Sequence, residues 1–213
     1  MPNEFTFPFD TCETPKKGSM VAQPWSTFVN FISLCIVFYF LFKVKTIQGL
    51  ILMIGLVFFD GFHIFSHFMH IQKGVQIGLV HISAYFINFA LLYGLYKFSH
   101  KKLSWLIIWL IGIAIALDLY AFAYMGLLSY LFTQLLLFLI ILYHYREAIL
   151  KIMGFYKLIG FLLLVTIIYM AFVNEVYNCK SMLQWSPSFP FHAITELFIL
   201  AANYLFVSSF YKI

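Results

Sequence analysis

Residues 60–81 read DGFHIFSHFMHIQKGVQIGLVH, and the reading of this stretch decides the fold. Its first half lies inside a hydrophobic run long enough to cross a bilayer, yet it holds Asp60, His63, Ser66, His67 and His70. A carboxylate at the centre of a membrane helix costs about 2.5–3.5 kcal/mol even on lenient insertion scales, so such groups face a cavity, a partner or a metal. At about 100° per residue, Asp60, His63, His67 and His70 fall within an arc of about 80° on one helical face. His63 and His70 are about 10 Å apart along the axis, so one ion with bonds of about 2 Å cannot take the whole stripe. The ligand is whichever histidine is level with polar groups from other helices.

Outward from that stretch, the 213 residues are 63% hydrophobic and only 10% charged, which excludes both a soluble domain and a disordered chain. Phe (27) and Tyr (14) suit lipid contact and interfacial belts. The net charge of +5 does not imply nucleic acid, because in a membrane protein Lys and Arg set topology. The N-terminal stretch holds Asp10, Glu13 and several prolines with no apolar h-region, so no signal peptide is expected and the first membrane helix directs insertion.

The expected fold is an all-α integral membrane protein. Residues 1–25 form a polar, turn-rich N-terminal cap, and 26–213 form a bundle of seven transmembrane helices, each near the roughly 20 residues a bilayer requires. The expected spans are Ser26–Phe42, Ile47–His70, Val75–Phe98, Leu103–Tyr124, Gly126–Tyr145, Ile152–Val173 and Phe189–Phe210. No charge separates the fourth and fifth; their combined length sets them apart. An odd number of spans puts the termini on opposite sides. One side then holds Lys43, Lys45, Lys97, Lys101, Lys102, Arg146, Lys151, Lys157 and Lys212, and the other Lys16, Lys17, Lys73 and Lys180. That asymmetry places the N-terminus outside or lumenal and the C-terminus in the cytoplasm. No repeat is apparent.

In this topology His70 ends the second span on the N-terminal side, His81 begins the third there, and His192 and Glu196 begin the seventh, one turn apart on one face. Imidazoles and a carboxylate gathered in a low-dielectric site are what a zinc ion needs. A coordination position left to water supplies a nucleophile near neutral pH. Ser66, one turn before His70, could donate a hydrogen bond to a developing oxyanion.

The order of these features resembles the alkaline ceramidases, seven-helix membrane amidases of a hydrolase superfamily that also contains the adiponectin receptors. Asp10-Thr-Cys-Glu13 resembles the family's Asp-Trp-Cys-Glu motif. Gln23-Pro-Trp-Ser-Thr-Phe-Val-Asn30 resembles its approach to the first helix, matching at Trp25, Thr27 and Asn30. Ser66-x-x-x-His70 matches its second-helix Ser-x-x-x-His, and Cys179 followed by Phe191-His192-Ala193 resembles its Cys…His-Ala-x-x-His. Two positions depart: the family's third-helix Asp is here His81, and the second histidine of its seventh-helix pair is Glu196.

The resemblance implies zinc held by His70, His192 and His81, with Glu196 as base or fourth ligand. A His–His–Glu set without His81 stays open, as does His67 in place of His70. It also implies a Cys12–Cys179 disulfide and a calcium site, for which only Asp10 and Glu13 remain of four side-chain positions. Deeper in the bundle, Asp60 and His63 read as a pair on a cavity floor with Asp118 as partner, while Asn174 and Glu175 read as solvated.

The implied activity is zinc-dependent hydrolysis of a ceramide-like membrane lipid to a sphingoid base and a fatty acid. No nucleic acid and no obligate protein partner are expected. The location is the endoplasmic reticulum or Golgi in a eukaryote and the inner membrane in a bacterium. The alternatives are an inactive or receptor-like homologue and a metal or proton transporter. The apolar run of residues 47–59 disfavours the transporter, because a conduction path needs polar groups along its length.

Overall fold

The computed structural model describes residues 12–13, 18–69, 74–124 and 127–213, and among them the regular secondary structure is entirely helical. The helices are α1 (Pro24–Leu41), α2 (Ile47–Phe68), α3 (Gly74–Ser99), α4 (Trp105–Tyr124), α5 (Leu127–His144), α6 (Arg146–Met153), α7 (Phe155–Trp185) and α8 (Phe191–Phe210). Five of them, α1, α2, α3, α7 and α8, are long and apolar enough to cross a membrane. Residues 105–121 of α4 and 131–144 of α5 are shorter apolar stretches. Trp105, Trp109, Leu163 and Met170 stand exposed on the outside of the bundle, as side chains facing lipid do.

The eight helices differ from the seven expected in one insertion and two boundaries. The insertion is α6, a single short helix that starts at Arg146 and is closed by Gly154, whose φ of +74° lies where a side chain is strained. The sixth expected span, in turn, runs on past Val173 to Trp185, because no glycine or proline interrupts residues 161–186. Asn174–Trp185 is therefore helix rather than loop. The other boundary is the end of α2 at Phe68, where Met69 turns extended and the carbonyls of His67 and Phe68 accept from Gln23 N and Ala22 N, both at 3.0 Å.

That pairing sets the start of α1 beside the end of α2. At the opposite end, Ile213 O accepts from Gly49 N (3.0 Å), and Lys101 Nζ donates to His144 O at 2.7 Å. The main apolar core, including Phe40, Leu52, Leu95, Tyr145, Ile149, Val207 and Phe210, fills this second end. Asn30, His67, Glu175, His192 and Glu196 are buried toward the first. The bundle thus has an apolar base and a polar head. On its flank, α4 and α5 pack on each other around Ile107, Ile111, Ala114 and Leu137.

At the base, a Cβ on Gly49 would lie 2.9 Å from Tyr211 O and 3.1 Å from Ile213 O, whereas one on Gly61 of the same helix would meet nothing within 4 Å. Gly49→Ala is expected to destabilise the bundle by about 1–3 kcal/mol. Gly61→Ala should be neutral or stabilising by up to about 1 kcal/mol. Thermal unfolding of the two variants in detergent compares them directly.

Candidate metal centre

Four buried side chains meet in the polar head: His63 and His67 from α2, His192 and Glu196 from α8. Their i,i+4 spacings put both members of each pair on one face of their helix. Glu196 Oε1 is the common point. It lies 3.0 Å from His192 Nε2, 3.3 Å from His67 Nε2 and 3.6 Å from His63 Nε2. His63 Nε2 and His67 Nε2 are 3.2 Å apart. His63, His67 and Glu196 offer one donor atom each within 4.8 Å of one another.

The hydrogen bonds behind these atoms fix which ring nitrogen faces the centre. Gln23 Nε2 donates to Glu13 O at 2.7 Å, which turns Gln23 Oε1 toward His67 Nδ1, 2.6 Å away. An amide oxygen only accepts, so His67 Nδ1 carries the proton and its Nε2 presents a lone pair. His192 Nδ1 is held in the same way by Glu175 Oε2 at 2.8 Å. Glu175 is itself anchored by Cys12 N, which donates to Oε2 at 3.2 Å, and by the Thr195 hydroxyl, which donates to Oε1. Asn30 Nδ2 donates to Glu196 Oε2 at 3.0 Å and so turns Oε1 toward the histidines.

This arrangement fits a metal ion. Lone pairs at His67 Nε2 and His192 Nε2 facing a carboxylate oxygen at 3.3 and 3.0 Å repel one another unless a metal ion or a proton lies between them. His192 Nε2 and Glu196 Oε1 are buried and make no hydrogen bond in spite of their 3.0 Å separation, because the angles are wrong. Ligand atoms about 2.0–2.1 Å from a tetrahedral zinc lie about 3.4 Å from each other, close to the 3.2–3.6 Å spacings among His63, His67 and Glu196. Carboxylate–histidine contacts such as Glu175–His192 are the usual outer support of such a site.

The expected site residues are distributed unevenly around this centre. His192, Glu196 and His67, one of the two α2 candidates, are in it. His70 and Asp10 lie outside the described residues. His81 is elsewhere: its Nε2 is 3.3 Å from Asp118 Oδ2, in a second buried cluster where Asp118 also accepts from Tyr85 Oη (2.6 Å), Thr133 Oγ1 (2.5 Å) and Gln134 Nε2 (2.7 Å). That cluster ties α3, α4 and α5 together, so Asp118 is no partner of Asp60. Ser66 is buried and its hydroxyl donates to Phe62 O at 3.0 Å, inside its own helix.

The Glu13 carboxylate caps α1, accepting from Trp25 N (3.1 Å), Ser26 N (3.2 Å) and the Ser26 hydroxyl. A helix N-terminus with three donors satisfies a carboxylate without calcium. Cys12 and Cys179 form a disulfide with a Cα separation of 5.4 Å.

Three contributors escape a reading of the sequence. His63 reads as too deep beside Asp60, yet Asp60 turns to Ser33 Oγ (2.9 Å) while His63 turns to the head. Glu175, expected to be solvated, is buried because α7 continues past it; its i,i+4 relation to Cys179, which the cap must reach, is the signal that could have found it. Gln23 gives no signal of its own. Compared with family models, with curated proteins and with solved structures, the chain matches none.

Two outcomes follow from this geometry. If the centre holds a metal ion, Glu175→Gln and Gln23→Ala should each weaken its binding about 10–100-fold, while the exposed Glu147→Gln leaves it unchanged, as read by chelator competition. Cys179→Ser should lower unfolding stability by about 2–5 kcal/mol, measured by denaturation in detergent without reductant.

Proposed function

We propose that this chain is a seven-crossing, zinc-dependent membrane hydrolase that cleaves the amide of a ceramide-like lipid. The observation behind the reading is the convergence of three imidazole Nε2 atoms on one buried carboxylate oxygen, each within 3.6 Å. His63, His67 and His192 would hold the zinc. The ion would supply Lewis-acid chemistry and an activated water. Glu196, held by Asn30, would accept the proton and return it to the leaving amine. α4 and α5 complete the seven crossings with their shorter apolar stretches, and α6 lies at the cytoplasmic surface among Lys97, Lys101 and Lys151, following the excess of basic residues at that end.

The substrate class follows from where the site lies. A cavity of about 220 Å³ in the middle of the bundle is lined by Leu56, Phe59, Leu91, Phe138, Phe161 and Phe206, among others. Phe59, which lines the cavity, packs on the His63 ring with centroids 5.7 Å apart, so this one ring touches both the cavity and the polar head. A hydrocarbon chain in this cavity would lie just below the histidines. Amide cleavage and ceramide come from the resemblance to the alkaline ceramidases.

One feature favours a second reading. Four protein donors around one point can fill a tetrahedral zinc and leave no position for water, which is how structural sites are built. In that case the chain is a non-catalytic homologue. Glu196→Gln separates the two. Measured beside wild type and His192→Ala, the hydrolase reading expects one zinc per wild-type chain, none in His192→Ala, and zinc retained in Glu196→Gln with cleavage of fluorescent ceramide abolished. Zinc lost from Glu196→Gln, with no cleavage by wild type, supports the non-catalytic homologue. No zinc in wild type sinks both.

A further inference from the structure

The Asp60 carboxylate has no part in the metal centre. It sits one turn deeper than His63 on α2, 3% exposed, and lines the mid-bundle cavity together with Asn88 and Asn203. These three are the polar members of a lining that is otherwise aliphatic and aromatic. Ser33 Oγ donates to Asp60 Oδ2 at 2.9 Å, and Asn203 Nδ2 lies 3.3 Å from the same oxygen and 2.6 Å from Ser33 Oγ. Asp60 Oδ1 takes no hydrogen bond from a described residue, and no described Lys, Arg or His forms an ion pair with Asp60. Asn88 Nδ2 donates to Ala84 O at 3.1 Å, which turns the Asn88 carbonyl away from its own helix backbone. The Asn203 amide, with Nδ2 on Ser33 and Asp60, likewise keeps its carbonyl oxygen as an acceptor.

The polar corner of the cavity, at Asp60 and Asn203, therefore keeps two spare acceptors, Asp60 Oδ1 and the Asn203 carbonyl, and its carboxylate has no cationic partner among the described residues. Such a group in a membrane interior is costly and is retained where something pairs with it. A primary ammonium offers a positive charge to the carboxylate and a further donor to the amide carbonyl. The apolar remainder of the cavity takes a hydrocarbon chain, which a bare inorganic cation does not need.

We propose that the cavity is a binding site for a long-chain primary amine, with the ammonium on Asp60 and Asn203 and the chain along Leu91, Phe138 and Phe206. The site stands about one helical turn from the metal centre, the rise from Asp60 to His63 being about 4.5 Å. Amide cleavage of a ceramide-like lipid releases such an amine. The identification of the physiological ligand as the product base rests on the hydrolase reading; the amine site itself does not.

The test uses full-length protein in nanodiscs of neutral lipid, with dodecylamine, dodecanol and dodecanoate as probes. It is run on wild type, His192→Ala, Asp60→Asn and Ala202→Phe. Wild type and His192→Ala should bind dodecylamine alike and about tenfold or more tightly than dodecanol, with dodecanoate weakest. Asp60→Asn should lose that preference, leaving amine and alcohol equal. Ala202→Phe, which fills the cavity without touching the polar corner, should lose both ligands, so the proposal stays testable if Asp60→Asn fails to fold. Equal binding of amine and alcohol by wild type overturns it, as does undiminished amine binding by Ala202→Phe. A result in which His192→Ala loses ceramide cleavage yet binds dodecylamine keeps the amine site apart from the metal.

Discussion

The structure depends on two hydrogen bonds made on the far side of two imidazoles. His67 Nδ1 rests on Gln23 Oε1 and His192 Nδ1 on Glu175 Oε2, and each acceptor is held in turn by the N-terminal cap. Gln23 is held by the carbonyl of Glu13, and Glu175 by the amide of Cys12. Two neighbouring residues of the cap thus orient two rings on different helices. The disulfide from Cys12 to Cys179 tethers this cap to α7 one turn beyond Glu175. Glu13 fastens it to α1 through the exposed amides of the first turn. A short polar segment does here what a second layer of protein does around a metal in a soluble enzyme.

This division of labour suits a bilayer. At the base, Leu52, Met53, Leu95, Ile149 and Val207 belong to one apolar core, and Gly49 lets the chain end approach the backbone of α2. At the head every functional side chain has a hydrogen-bonded neighbour, since an unpaired group in a low-dielectric interior costs about 1–3 kcal/mol. Asp60 with Ser33 and Asn203, and Asp118 with Tyr85, Thr133 and Gln134, apply the same rule deeper in the bundle. The two carboxylates serve different helices, one joining α1, α2 and α8 and the other α3, α4 and α5.

Much of this was legible in the sequence because a bilayer restricts what a chain can do. The apolar runs gave the helices within a few residues at most ends, and the His–Glu spacing at 192 and 196 marked one face of the last. The end of α2 was not legible, since its final carbonyls are satisfied by Ala22 and Gln23, some 45 positions upstream. That pairing sets His67 in the last turn of α2. The continuation of α7 was hidden by its polar composition, which reads as a loop until the absence of glycine and proline is weighed. His81 misled for another reason: depth along the bundle is legible from topology, but azimuth is not, and α3 turns His81 toward α4. Gln23 lies beyond the reach of pattern, because its role comes from a fold in the cap and not from spacing.

The metal centre draws on the first two helices of the chain and the last, with Glu175 from the one before it. A chain made from its N-terminus delivers His63 and His67 to the membrane long before His192 and Glu196 exist. Through that interval α2 holds two imidazoles and Asp60 in the bilayer, with Gln23 and Ser33 the partners that precede it in the chain. The flanking pair α4–α5, joined to α3 by Asp118, arrives in between and contributes nothing to the centre. Synthesis therefore leaves α2, with its two imidazoles and a carboxylate, waiting for α8 until the end of the chain is made.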